Sequence, residues 1–191
     1  MMYDSWETLK NECTQCTKCK LCETRTNVVF GYGNPKAEVM FVGEGPGEQE
    51  DLQGKPFVGR SGKLLDAMLN DVGLSREKNI YIGNIVKCRP PKNRDPLPEE
   101  QECCINWLRN QVLILKPKII VAVGRIAAMK IIDPNIKITK DHGKFYKKKK
   151  TLMMPTIHPA AILRNPNQKP LVEEDFQNLK NKILEICNHT Y

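Results

Sequence analysis

Short apolar runs alternate with amphipathic segments along the chain. Four runs are predicted to be buried strands, at 38–43, 79–86, 118–124 and 152–157. Helices are predicted between and after them, at 62–72, 98–115, 125–132 and 173–187. Strands that alternate with helices indicate an α/β fold. We expect a single domain over residues 1–191, with a central, mostly parallel four-stranded sheet and helices on both faces.

In such a sheet, the functional site lies where loops leave the carboxyl ends of the strands. That rule selects the segments 43–57, 84–88, 124–127 and 157–164. The first has three glycines within five residues, so its backbone can approach a ligand and point N–H groups at it. It is not a nucleotide P-loop, because no Gly-Lys-Ser/Thr follows and its acidic residues would repel phosphate. The glycines alone favour a tight turn.

Two ring side chains stand out in the selected loops. Phe57 lies within a glycine-rich stretch and is either ordinary core or a flat platform for a planar ring, since stacking is worth about 1–3 kcal/mol per base. His158 follows a predicted strand and precedes Pro159 and small helix-forming residues. It therefore faces the positive end of the next helix, which favours a neutral ring able to donate one hydrogen bond. A purely structural histidine is the alternative.

Composition narrows the class of protein only modestly. Thirty Lys and Arg residues against 22 Asp and Glu residues give a formal charge of +8. This charge fits a nucleic-acid partner, but a generally lysine-rich composition explains it as well. Residues 1–10 are polar, with no apolar run suited to a signal peptide, and no segment resembles a membrane span. We therefore expect an intracellular, cytoplasmic protein with no membrane contact.

Cysteines form the most concentrated chemical feature. Cys13, Cys16, Cys19 and Cys22 lie three residues apart, and Cys88 and Cys104 lie far downstream. In an intracellular chain this spacing indicates a metal centre that joins segment 13–22 to loop 88–104. Four thiolates suit zinc or iron–sulfur equally. The pairs 13/16 and 19/22 have the same spacing, so spacing leaves the early ligands open.

Several motifs together resemble the family 4 uracil-DNA glycosylases, the iron–sulfur branch of the uracil-DNA glycosylase superfamily. They are CTKCKLCETRT at 16–26, VGEGPG at 42–47, GKPFVG at 54–59, NIVKCRPP at 84–91, NRDP at 93–96 and HPAAILR at 158–164. Each motif alone is weak, whereas their order and spacing are specific. The resemblance implies a uracil-DNA glycosylase-like fold and a DNA repair enzyme of base excision repair. Such an enzyme flips uracil out of DNA and hydrolyses its N-glycosidic bond, leaving an abasic site.

The resemblance also implies a [4Fe–4S] cluster, which we interpret as structural. Its ligands would be Cys16, Cys19, Cys88 and Cys104. Cys13 and Cys22 are then spare, although either can replace a proposed early ligand as far as spacing is concerned.

Roles for the loop residues follow from the same resemblance. Phe57 would lie under the uracil ring and Asn84 would pair with its Watson–Crick edge. His158 would donate toward uracil O2, helped by N–H groups near Gly45, where charge develops on the leaving base. Gly45 has no side chain to handle water, so Glu44 and Glu50 are the candidate acids, with surface acids as the alternative. Glu44 is also assigned to the substrate pocket.

Three residues after His158 are assigned to DNA. Ile162 and Leu163 would form an apolar wedge and Arg164 would hold the backbone, unless one of the apolar pair is buried. The lysines at 147–150 either contact phosphate or lie in a solvated loop. The alternative functions are a non-catalytic iron–sulfur module that binds nucleic acid and a zinc-stapled hydrolase. A monomer is expected, and no residue supports a sliding clamp as a further partner.

Overall fold

The computed structural model describes Tyr3 and residues 5–191. Met1, Met2 and Asp4, which belong to the polar N-terminal stretch, lie outside the described residues. Within this part of the chain, one sheet has six strands in the order β1-β3-β2-β4-β6-β5. The strands are β1 Tyr32–Gly33, β2 Val39–Gly43, β3 Ile80–Asn84, β4 Ile119–Val123, β5 Tyr146–Lys148 and β6 Thr151–Thr156.

The four central strands are the predicted ones, and they are mutually parallel. The prediction of a four-stranded sheet needs one correction, because β1 and β5 add antiparallel edges. Neither edge strand has the apolar signature of a buried strand. β1 has only two residues, and the two lysines of β5 are exposed.

The helices lie on both faces of the sheet, as predicted. They are α1 Trp6–Thr14, α2 Glu48–Gln53, α3 Arg60–Asp71, α4 Pro98–Leu115, α5 Arg125–Ile131, α6 Ile138–Asp141, α7 Pro159–Arg164 and α8 Lys169–Ile186. Short 3₁₀ turns occur at Lys20–Glu23, Pro91–Asn93 and Pro166–Gln168. No helix among the described residues is long and apolar enough to cross a membrane.

Alternation along β2 shows why two cores form. Met40 and Val42 pack into a cluster that includes Trp107 of α4, whereas Val39 and Phe41 pack on the other face with residues of α3 and α8. Successive side chains of a strand point to opposite faces, so one apolar strand supplies both cores.

Strand register aligns the carboxyl ends of the sheet. Gly43 lies opposite Asn84, and Val123 lies opposite Thr156. The loops that follow these four positions are the ones selected from the sequence, and they emerge at one edge.

Candidate active site and cysteine pocket

A cavity of about 520 Å³ opens at the carboxyl ends of the parallel strands. Every residue assigned to the pocket from the sequence lines it: Glu44, Gly45, Glu50, Phe57, Asn84 and His158. Its rim is formed by the loop after β3 and by the turn between β4 and α5. The structure thus brings together side chains that lie more than one hundred residues apart in sequence.

Phe57 is held in an unusual backbone conformation. Its φ is +52°, in the left-handed region that non-glycine residues rarely adopt. Buried Arg76 donates from Nη2 to the Phe57 carbonyl at 2.9 Å and from Nη1 to the Pro56 carbonyl at 2.5 Å. A Cβ on Gly62 would lie 2.0 Å from the Phe57 carbonyl oxygen, so only glycine fits there. These neighbours fix the ring, and strain of this kind is typical of functional sites.

Glu50 supports the same loop from inside the cavity. Its Oε1 accepts hydrogen bonds from the N–H groups of Val58 and Gly59, both at 2.8 Å. Its Oε2 lies close to Gly47, where a Cβ would come within 2.8 Å of it. Oε1 of Glu50 is therefore occupied by hydrogen bonds to the loop, and Oε2 faces the glycine-rich turn at Gly47.

Asn84 ends strand β3 with its side chain in the cavity. The residue is 1% exposed, and its Oδ1 is buried without a hydrogen-bond partner among the described residues. A Cβ on Gly43 would lie 2.5 Å from this oxygen and 2.6 Å from Cζ of Phe57. Glycine at that position lets ring and amide approach each other. Buried polar atoms are nearly always paired, so this acceptor is suited to the N–H of a bound ligand.

His158 is the N-cap of α7. Its Nδ1 accepts a hydrogen bond from the Ala160 N–H at 3.1 Å, so the proton of the neutral ring is on Nε2. Burial, and to a lesser extent Arg164, lowers the pKa of His158 to about 4, while Glu50 opposes the change. The uncharged ring expected from the sequence agrees with these contacts. The ring centroids of His158 and Phe57 are 5.7 Å apart.

Glu44 lies in the cavity beside charges that the sequence did not single out. Burial, and to a lesser extent Asp95, raises the pKa of Glu44 to about 7, while Arg125 opposes the rise. Asp95 and Arg125 form an ion pair of 3.1 Å at the cavity rim. Arg125 follows Gly124, and the strand-end rule selected this turn without identifying the side chain that matters in it.

Helix α7 separates the three residues assigned to DNA. Ile162 is 3% exposed and packs in the core with α3 and α8, so it is not available as a wedge at the surface. Leu163 is 43% exposed, and Arg164 lines the cavity. The alternative that one of the apolar pair is buried therefore holds for Ile162, and the sequence alone does not show which side of a six-residue helix faces the core.

The lysines at 147–150 lie at the opposite edge of the sheet. Lys147 and Lys148 end β5, and Lys149 and Lys150 form the turn that precedes β6, whereas His158 follows the other end of β6. At about 3.3 Å per residue, the six residues of β6 place roughly 20 Å between the two ends. These lysines do not line the cavity.

A second pocket gathers the cysteines. Those that line it are Cys13, Cys16, Cys19, Cys22, Cys88, Cys103 and Cys104. It includes all four predicted ligands, and it brings segment 13–22 against the residues that flank loop 88–104.

Three of the predicted ligands accept N–H···S hydrogen bonds. Trp107 Nε1 donates to Cys16 at 3.4 Å, Arg25 Nη1 to Cys88 at 3.3 Å, and the Lys87 backbone N–H to Cys104 at 3.2 Å. Burial raises the pKa of Cys104 to about 12, against opposing effects of the Lys87 charge and of its backbone N–H. Donors already aimed at sulfur suit thiolates that carry negative charge.

Comparisons with known proteins identify the family of this chain. A family model described as the uracil DNA glycosylase superfamily matches residues 30–184. The chain is 48% identical over 186 residues to a type-4 uracil-DNA glycosylase of Sulfurisphaera tokodaii, covering 93% of this chain and 84% of that protein. It is 45% identical over 192 residues to one of Archaeoglobus fulgidus, covering 96% and 94%. It is 44% identical over 183 residues to one of Thermotoga maritima, covering 93% and 94%.

Proposed function

Since the chain belongs to the uracil-DNA glycosylase superfamily, we propose that it removes uracil from DNA by hydrolysing the N-glycosidic bond. The product strand retains an abasic site, and the protein is a DNA repair enzyme of the type-4 branch. Its relatives of 44–48% identity, named type-4 uracil-DNA glycosylases, support this assignment over at least 93% of the chain.

The observation that carries the proposal is Asn84 Oδ1, which has no hydrogen-bond partner in the described part of the chain and lies in the cavity shared with Phe57 and His158. Uracil presents N3–H beside O4, so Oδ1 would accept from N3–H while the amide nitrogen donates to O4. Cytosine presents an acceptor at N3 and would leave Oδ1 unpaired. Sites built around hydrogen bonds reject such analogues by about 10⁴–10⁵-fold, provided that the amide cannot rotate.

Stacking and extrusion complete the binding step. A base inside a duplex cannot reach a cavity of this kind, so the nucleotide must leave the helix at a cost of a few kcal/mol. The Phe57 ring would stack under the extruded uracil and recover part of that free energy. Leu163, exposed on α7, would contact the vacated stack, and Arg164 would hold a phosphate at the cavity rim.

Cleavage places negative charge on the departing uracil and positive charge on the sugar. The Nε2–H of neutral His158 would donate to uracil O2, and N–H groups near Gly45 would support the same charge. Water then adds at C1′ of the sugar and loses one proton, and the uracil anion later takes up a proton. Glu44, with a pKa of about 7, is the proposed acceptor of the water's proton. Glu50 would orient the water through its second oxygen.

The cysteine pocket fits a [4Fe–4S] cluster held by Cys16, Cys19, Cys88 and Cys104. Three of these cysteines already accept N–H···S hydrogen bonds, which suits thiolates that carry negative charge. By count alone four thiolates suit zinc as well, and the type-4 relatives favour the iron–sulfur cluster. It would supply a structural clamp between segment 13–22 and loop 88–104 within one domain of residues 1–191.

One assay tests the activity directly. The purified protein is incubated with a duplex that contains one uracil, and the strands are treated with alkali and separated by size. We expect a single break at the uracil position and none in the matching thymine duplex. Binding to the uracil duplex without any break would instead favour the non-catalytic nucleic-acid-binding module. Iron and sulfide in a brown protein support the cluster, whereas a colourless zinc protein would refute it.

A further inference from the structure

Lys87 is a buried lysine that lies between the cysteine pocket and the cavity. It is 1% exposed, although lysine is among the residues least often buried. Its ammonium donates to two neutral oxygens, the Asn84 backbone carbonyl at 3.0 Å and Oε1 of Gln111 at 2.7 Å. A lysine so completely removed from water needs a structural or functional reason, and its contacts indicate which.

The Asn84 contact fixes the peptide group that follows the uracil-reading residue. Strand β3 ends at Asn84, and Lys87 donates to its carbonyl oxygen there. The N–H of the same peptide group belongs to Ile85 and donates to the Gly43 carbonyl at 2.9 Å. Both polar atoms of this peptide are therefore held. Because the peptide adjoins the Asn84 Cα, its orientation helps set the direction of the side-chain amide.

The backbone of Lys87 lies at the cysteine pocket. The Lys87 backbone N–H donates to Cys104 Sγ at 3.2 Å, and the residue lines that pocket. Gln111, the second acceptor of the ammonium, is itself fixed, since its Nε2 donates to the Phe30 carbonyl at 2.8 Å. One residue thus connects the proposed cluster site to the proposed base-reading amide.

We propose that Lys87 is a positioning residue for uracil recognition. It holds the Asn84 peptide group in a fixed orientation relative to the cysteine pocket. This inference rests on the proposed function. Lys87 does not line the cavity, so it would act only through Asn84. Without its ammonium, the buried Asn84 carbonyl lacks this donor, and the peptide can rotate toward another one.

The test compares Lys87→Met with the unaltered protein, because methionine fills similar space and cannot donate. We expect the inhibition constant of free uracil to rise about tenfold, the effect of losing one buried hydrogen-bond partner. The ratio of the inhibition constant of free cytosine to that of free uracil should fall as well. The single-turnover excision rate at saturating enzyme should change much less, because the leaving-group donor His158 is untouched.

Lys118→Met is the matched control. Lys118 also donates to a backbone carbonyl, that of Ile186 at 2.8 Å. It directly precedes β4, however, and so lies at the end of the strands opposite the cavity. The Lys118→Met variant should have lower thermal stability, and its inhibition constants for free uracil and free cytosine should be unchanged. If Lys87→Met raises the uracil constant no more than Lys118→Met does, the inference is overturned.

A second variant covers loss of folding or loss of iron in Lys87→Met. Gln111→Leu leaves Lys87 in place and alters no residue that lines the cysteine pocket, but it removes the 2.7 Å acceptor that holds the ammonium. We expect a smaller rise in the uracil constant, and no rise would overturn the inference. If the unaltered protein neither excises nor binds uracil, the proposed function itself fails. If it does both and the variants match it, only the role of Lys87 fails.

Discussion

His158 makes one contact within the fold and, in the proposed reaction, one with the leaving base. Two different replacements at this position distinguish the effects of these contacts. His158→Ala removes the N-cap acceptor of α7 and the Nε2–H donor together. Loss of a side-chain cap typically costs about 1 kcal/mol of stability. Loss of one preorganised donor to a developing oxyanion costs about 3 kcal/mol in the transition state, or about 10²–10³-fold in rate.

His158→Asn isolates the second effect. Asparagine is a strong N-cap residue, so this variant should recover the stability lost in His158→Ala. Its shorter side chain does not carry a donor to the position of Nε2, so excision should stay as slow as in His158→Ala. Single-turnover excision at saturating enzyme measures the rate, and urea unfolding measures the stability. Binding to a uracil duplex should change far less than the rate in both variants.

The pH profile gives an independent check on the neutral ring. With a pKa of about 4, His158 does not titrate between pH 6 and pH 8, so it contributes no step near its ordinary pKa of 6.5. A step near 6.5 that disappears in His158→Asn would refute the assignment of a neutral donor. Equal losses of binding and rate in His158→Ala would refute a role specific to the transition state.

Three further predictions concern charge. Glu44 should act as its carboxylate, so excision should fall as pH drops below about 7, and Glu44→Gln should slow excision and abolish that step in a pH–rate profile. Charge reversal at Lys149 and Lys150 should leave the salt dependence of uracil-duplex binding unchanged, whereas Arg164→Gln should reduce its slope by about 1. Burial opposes a low pKa at Glu38, but backbone N–H groups and Lys118 lower it to about 2. Its carboxylate therefore stabilises the fold above its ordinary pKa of 4.5, on the order of 3 kcal/mol, and this stability is lost as pH falls toward 2. Urea unfolding of Glu38→Gln should show a weaker loss over that range.

The sequence predicted what depends on local pattern. Apolar runs identified β2, β3, β4 and β6 because buried parallel strands are nearly continuous in hydrophobic residues. The rule for strand ends then selected the loops that hold Phe57, Asn84 and His158. Both inferences use information within a few residues of the feature predicted.

What the sequence did not predict depends on contacts between distant segments. Arg76 lies 19 residues from Phe57 and has no motif that links it to that loop. The burial of Ile162 follows from how a short helix packs, and the edge strand β5 pairs through its backbone while exposing lysines. Lys87 was visible only as one letter of a motif, because its buried ammonium becomes meaningful once Asn84 and Gln111 are known to surround it.

The backbone of Phe57 has a consequence for how the protein tolerates change. Its strained conformation is maintained by Arg76, Gly62 and Glu50, so the ring is already in place before any nucleotide arrives. An incoming base then meets a preformed surface, and little affinity is lost to ordering the loop. Genetic screens for inactive alleles should therefore recover substitutions at Gly62 and Arg76, which line no part of the cavity, as readily as substitutions at the ring itself.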